Sequence, residues 1–280
     1  DHRDLHSFPT RRSSDLGVRV LALDGGIRVN VAPANCTCLV ENADRTQLEA
    51  VLKRVSGETG VSLTAVYEGN TAKITAAGVQ AHASTPDEGK NAITATLQVL
   101  CALPLAQGAA EKTVQQLHEI FPYGDNRGKA LGIAMEDAVS GCLTLTFSMV
   151  HLDSTGFWGV FDSRDPLCAT EENTCRVTEA KMAAFGWECK GSLGPAHAVD
   201  GESDFIKVLL NAYETYTGRK GYCEAIGGGT YVHEIPGGVA FGAGEHDFDS
   251  HLHGANERAR ISQLLKTAMI YALVISKLCA

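Results

Sequence analysis

The sequence lacks what a nucleic-acid or membrane-surface partner would need. Lysine and arginine number 24 against 33 acidic residues, for a formal net charge of -9. No strongly basic stretch lies inside the body of the chain. Such a chain is not attracted to phosphate backbones or anionic lipid, so neither is an expected partner. No apolar run reads as long enough to cross a bilayer. No Cys-x-x-Cys pair occurs among the nine cysteines, which excludes a zinc ribbon or a thioredoxin motif. The odd number and scattered spacing suit a reducing compartment, so a cytoplasmic location is expected. The one glycine triplet is not followed by Lys-Ser or Lys-Thr, which removes the phosphate-loop reading.

What is present is ordinary globular material. Hydrophobic residues are 44% and charged residues 20% of 280 residues, enough for one large domain or two medium ones. The first sixteen residues, DHRDLHSFPTRRSSDL, have neither the apolar centre of a secretory signal nor the low acid content of a transit peptide. Residues 1–16 read as non-native, adapter-derived sequence, and the fold expectations begin at Gly17.

From there the pattern alternates strands and helices. A strand over 18–23 meets Asp24-Gly25-Gly26, a turn expected to return as a hairpin strand over 27–31. A further strand is predicted over 35–40. Leu48, Val51, Leu52 and Val55 keep helical spacing behind a cap at Asp44. Strands over 62–67 and 71–76 flank Glu68-Gly69-Asn70. A helix over 89–103 stops at Pro104. A second round follows: a helix over 110–120, strands over 143–152 and 156–162, and a helix over 174–185. Strong helices are predicted over 203–216 and 260–278. Each round suggests helices layered on a sheet, an α/β protein with an α+β first part. The boundary is placed at residues 195–197.

Four motifs carry chemistry. In Gly78-Val-Gln-Ala-His82-Ala-Ser-Thr-Pro86, an imidazole sits where a strand hands over to a helix; it is a ligand-facing group or a satisfied structural histidine. Arg164, in Asp162-Ser-Arg-Asp165-Pro, either clamps a carboxylate or pairs with Asp162 or Asp165. Gly227-Gly228-Gly229-Thr230-Tyr231 allows close backbone approach to a ligand, or is a plain tight turn. His246, His251 and His253 form the densest set of metal-ligand types, or a polar surface loop.

In this order, the blocks AHASTPDEGKNA, DSRDP, AIGGGTYVHEIPGGVAFGAG and HLHGANERARISQLLKTAMIYA resemble the PepV-type (Sapep-like) dipeptidases. These are two-zinc peptidases of the group that includes aminoacylases and carboxypeptidase G. The resemblance runs from about Gly25 to Ala280. It implies a lid of two fused ferredoxin-like halves over 17–196, acting as a monomer. Residues 197–280 then correspond to the C-terminal part of the catalytic domain. It implies His82 as the lid histidine that stabilises the oxyanion, Asn30 as a substrate-side asparagine, and Arg164 as the grip on the substrate's free carboxylate. Gly228, Gly229 and Thr230 would line the substrate pocket, and His253 would be a zinc ligand. The cofactor implied is a pair of zinc ions, or manganese or cobalt, and the substrate is a dipeptide. That family places a His-x-Asp motif, a bridging aspartate, a Glu-Glu pair and another acidic ligand before the lid. Nothing before Gly17 matches them, so the resemblance implies a shortened copy, inactive alone. Glu171-Glu172 lies inside the lid region and reads as solvated. His233 stands where many relatives have arginine, and Asp165 where an aromatic is usual. The rival expectations are an N-acyl amino acid amidohydrolase and a non-catalytic interaction domain.

Overall fold

A computed structural model describes residues 17–194, 196–228, 230–242, 247–248, 250 and 256–280. The chain divides into two compact units, the first ending at Gly194 and the second running Pro195–Ala280.

The first unit runs β1 (Arg19–Gly25), β2 (Val31–Ala32), β3 (Asn35–Glu41), α1 (Arg45–Thr59), β4 (Ser62–Glu68), β5 (Thr71–Ala77), β6 (Ala81–His82) and α2 (Ala92–Cys101). It continues with α3 (Ala109–Ile120), β7 (Glu136–Asp137), β8 (Gly141–Cys142), β9 (Thr144–Asp153), β10 (Gly156–Arg164) and α4 (Cys175–Phe185). Six strands form one antiparallel sheet in the order β10-β9-β1-β3-β5-β4. This is the α+β arrangement expected, with the second round adding β9 and β10 to the sheet of the first.

Local sequence explains most of it. Cys36, Cys38 and Val40 are buried on alternate positions of β3, opposite Ala76, Ile74 and Ala72 of β5. That is the period-two signature of one covered face. Helix α1 buries Leu48, Val51, Leu52 and Val55 and is capped by Asp44, whose carboxylate accepts from Gln47 N at 2.8 Å. Helix α2 is buried almost all round, and the helices pack over one face of the sheet. Its cap residue Asn91 accepts from the amides of Ile93 and Thr94 and donates to the Phe147 carbonyl at 2.8 Å, tying α2 to β9. Phe121, after α3, stacks on Phe147 with ring centres 4.4 Å apart.

The hairpin expected at Asp24-Gly25-Gly26 does not form. Strand β1 pairs with β3 on one side and β9 on the other, and residues 27–30 are not a strand. Gly26 has φ 75°, and a Cβ there would fall 1.8 Å from the Ser148 carbonyl oxygen. Only glycine lets the chain turn so closely against β9.

The second unit packs α5 (Asp204–Thr217) on α6 (Ile261–Leu278) through Ile206, Leu209, Ala212, Ile270 and Val274. Ser203 caps α5, and Gly218 ends it in the left-handed region at φ 66°. By length and composition α6 is long and apolar enough to cross a membrane, contrary to the sequence expectation. Its apolar stretch is broken by Lys266 and ends at Lys277, and one side of it is used against α5.

Candidate functional site in the first unit

The site begins with a glycine. A Cβ at Gly78 would lie 1.9 Å from the Lys90 carbonyl oxygen. Its absence lets Val79 and Lys90 exchange backbone hydrogen bonds at 3.1 and 2.8 Å, which closes residues 80–89 into a loop. Within it β6 pairs with β2, setting His82 opposite Val31 and Ala81 opposite Ala32. Ala83 N donates to the Asn30 carbonyl at 3.0 Å. Two residues 52 positions apart in sequence, Asn30 and His82, are thereby neighbours.

Arg164 joins them through Thr144. The Thr144 hydroxyl, buried, donates to the Ala83 carbonyl at 2.9 Å. Across the sheet Thr144 stands directly opposite Arg164. Directly opposite residues of an antiparallel pair project to the same face. Arg164 therefore lies on the face of β10 that adjoins the His82 loop. The chain Asn30–Ala83–Thr144–Arg164 brings three sequence-predicted residues to one region.

The polar environment of each is specific. His82 Nδ1 receives the Ser84 amide at 3.2 Å and lies 2.7 Å from Ser84 Oγ. Arg164 is forked onto Asp162: Nε donates to Oδ1 at 2.6 Å and Nη2 to Oδ2 at 2.8 Å. That edge of the guanidinium is occupied, so a substrate carboxylate would meet the Nη1 side or displace Asp162. Of the two carboxylates left open by the sequence, Asp162 is the partner. Asp165 instead accepts from Ser163 Oγ at 3.0 Å, and its Oδ1 is buried with no hydrogen-bond partner. Burial pushes the Asp165 carboxyl above the usual range, against the opposing effects of the Ser163 bond and Arg164.

The segment after Arg164 is anchored by a carboxylate that sequence reasoning missed. Asp137 accepts from the amides of Val139, Ser140 and Cys168 and from Ser140 Oγ, and Leu167 N donates to Ser140 Oγ at 2.8 Å. These hydrogen bonds, led by those from Ser140, hold the Asp137 carboxyl well below the usual range.

Gly228 and Thr230 belong to the second unit, where Thr230 begins a short 3-10 turn over Tyr231–Glu234. His233 Nδ1 accepts from Thr230 N at 3.2 Å, and the His233 ring lies 5.0 Å from that of His197, centre to centre. Gly229, His246, His251 and His253 lie outside the described residues. Among the described residues no three histidine, cysteine, aspartate or glutamate side chains come together to hold a metal ion. The described residues therefore do not fit a metal centre by themselves.

Residues 67–151, which include His82, match the Peptidase dimerisation domain of the M20 type. A Bacillus subtilis (strain 168) protein described as "Putative dipeptidase YtjP" is 29% identical over 261 residues, covering 92% of this chain and 55% of its own length. The Beta-Ala-Xaa dipeptidase of Lactobacillus delbrueckii subsp. lactis is 28% identical over 254 residues, covering 90% and 54%. Over residues 67–151 the chain is similar to the M20 peptidases. The relatives it resembles are named as dipeptidases. The chain spans about half the length of the curated relatives it matches.

Proposed function

We propose that residues 17–196, which take in the first unit, are the lid of a metal-dependent dipeptidase that closes on the substrate with Asn30, His82 and Arg164. Residues 197–280 are proposed as part of the catalytic domain, with Gly228, Gly229 and Thr230 along the substrate and His253 as a metal ligand. The observation that carries the reading is the linked set Asn30–Ala83–Thr144–Arg164. One region then offers an imidazole and a guanidinium at a spacing set by sheet register rather than by flexible loops.

The roles follow from the chemistry of those groups. A peptide carbonyl gains negative charge as it is attacked, and a donor already aimed at that oxygen lowers the barrier. His82 supplies such a donor. A dipeptide ends in a free carboxylate close to its peptide bond, and Arg164 distinguishes it from a longer chain by pairing with that group. Zinc, or manganese or cobalt in its place, would supply the activated water in that dipeptidase, with His253 as one of its ligands. Hydrolysis is proposed for the polypeptide in which this lid operates; the 280 residues alone are expected to hydrolyse dipeptides negligibly. A monomer is proposed because β9 and β10 extend the first round's sheet within one chain. Nine unpaired thiols support a cytoplasmic location.

The test is a graft. The Lactobacillus dipeptidase carrying residues 17–194 of this chain in place of its matching segment should hydrolyse dipeptides with zinc added. Arg164→Ala in the graft should raise KM by roughly tenfold to a hundredfold, the weight of a charged hydrogen bond. An unchanged KM, or hydrolysis of N-acyl amino acids without dipeptides, would contradict the reading.

A further inference from the structure

His82 Nδ1 faces two groups of Ser84, and they do not carry the same information. The hydroxyl at 2.7 Å can either donate or accept, so it selects no form of the ring. The backbone N–H at 3.2 Å can only donate. It requires a lone pair on Nδ1, and in a neutral imidazole the proton must then sit on Nε2.

We infer that Ser84 is a positioning residue that locks His82 in the Nε2–H tautomer. The inference rests on the reading of the first unit as a lid, and it specifies how His82 acts there. A neutral ring locked this way presents a donor at Nε2. It suits a carbonyl oxygen that is gaining charge, and it does not suit a general base or a metal ligand acting through Nε2.

The lock is built into the backbone. Thr85 N donates to the His82 carbonyl at 3.0 Å, closing a turn around Ser84. On the other side, Ala83 is held through its N–H by Asn30 and through its carbonyl by Thr144. The Ser84 N–H is therefore aimed by bonds that do not depend on the serine side chain.

The experiment is nitrogen-15 NMR of the imidazole rings in the full 280-residue chain, at a pH above the ring's titration. His82 is assigned by comparison with His82→Gln. The expected spectrum has Nδ1 bare and Nε2 protonated. Ser84→Ala should leave that tautomer dominant and its share unchanged, because the backbone N–H that selects it remains. Ser84→Pro removes the N–H as well and should leave the tautomers mixed, with the amide spectrum checking the fold. If Ser84→Pro does not fold, the other two spectra still decide. A wild-type ring protonated on Nδ1, or a comparable mixture of both forms, would overturn the lock. A locked ring together with a graft whose hydrolysis is indifferent to His82 would leave the lock standing and end the lid reading instead.

Discussion

The two units differ in how much of their apolar surface they cover themselves. Among the described residues the first unit buries 33 apolar side chains in one continuous core, and the second buries five. Ile74, Leu97 and Leu117 are at most 1% exposed. On α6, Ile261, Leu265 and Ile275 are 76%, 62% and 59% exposed. A six-stranded sheet with helices over one face satisfies its own hydrophobic requirement, whereas two packed helices hide only the stripe between them. The functional consequence is that the candidate site sits on the unit able to hold side chains in fixed geometry.

That contrast can be broken by substitution. Ile74→Ala should destabilise the first unit by about 2–5 kcal/mol, while Ile275→Ala should cost less than about 0.5 kcal/mol, both read from urea unfolding. Equal effects would erase the distinction between the units. A smaller change is expected at the cap of α2. Asn91→Ala loses the cap and the bond to Phe147 and should cost about 1–2 kcal/mol; a silent substitution would mean that α2 is not anchored to β9 there. Thr144→Val removes the bond to Ala83 and should cost about 1 kcal/mol. It should also shift the His82 ring signals in NMR, and unmoved signals would cut the proposed link between Arg164 and the loop.

The weakest effect expected is electrostatic. His151 Nδ1 lies 2.6 Å from Asp24 Oδ1, and Nε2 lies 3.4 Å from Asp153 Oδ2. The bond to Asp24, with the charges of Asp24 and Asp153, raises the pKa of His151. With the folded value above the unfolded one, this stabilisation is complete below about pH 6.5 and fades as pH rises through the folded pKa. Asp24→Asn should flatten that part of the stability curve, compared at about pH 5.5 and about pH 8.5. A variant curve parallel to the wild type would show that the pair contributes nothing.

What was legible in the sequence was local. The Asp44 cap, the Gly69 turn between β4 and β5, the stop at Pro104 and the stripes of α1 and α5 all depend on neighbours within a few residues. The pairing of β1 with β9, more than a hundred residues away, left no such trace. Nor did the buried Glu111, which accepts from Val20 N at 2.7 Å beside a bulge in β1. At the site, the motif around His82 was visible, but its tie to Asn30 was created by the two-residue ladder of β2 and β6. Ser84 stood inside the motif and passed unnoticed, because its donor is a backbone amide that every residue but proline shares. The partner of Arg164 was within reach: residues two apart on a strand share a face, which favours Asp162 once β10 extends to Arg164.

The most direct test of the account is an NMR titration of the full chain with glycylglycine. Asn30, His82 and Arg164 side-chain signals should move together and saturate with a single Kd, as three parts of one site. Shifts confined to one of them, or curves with separate Kd values, would contradict the claim that the lid gathers them around a dipeptide.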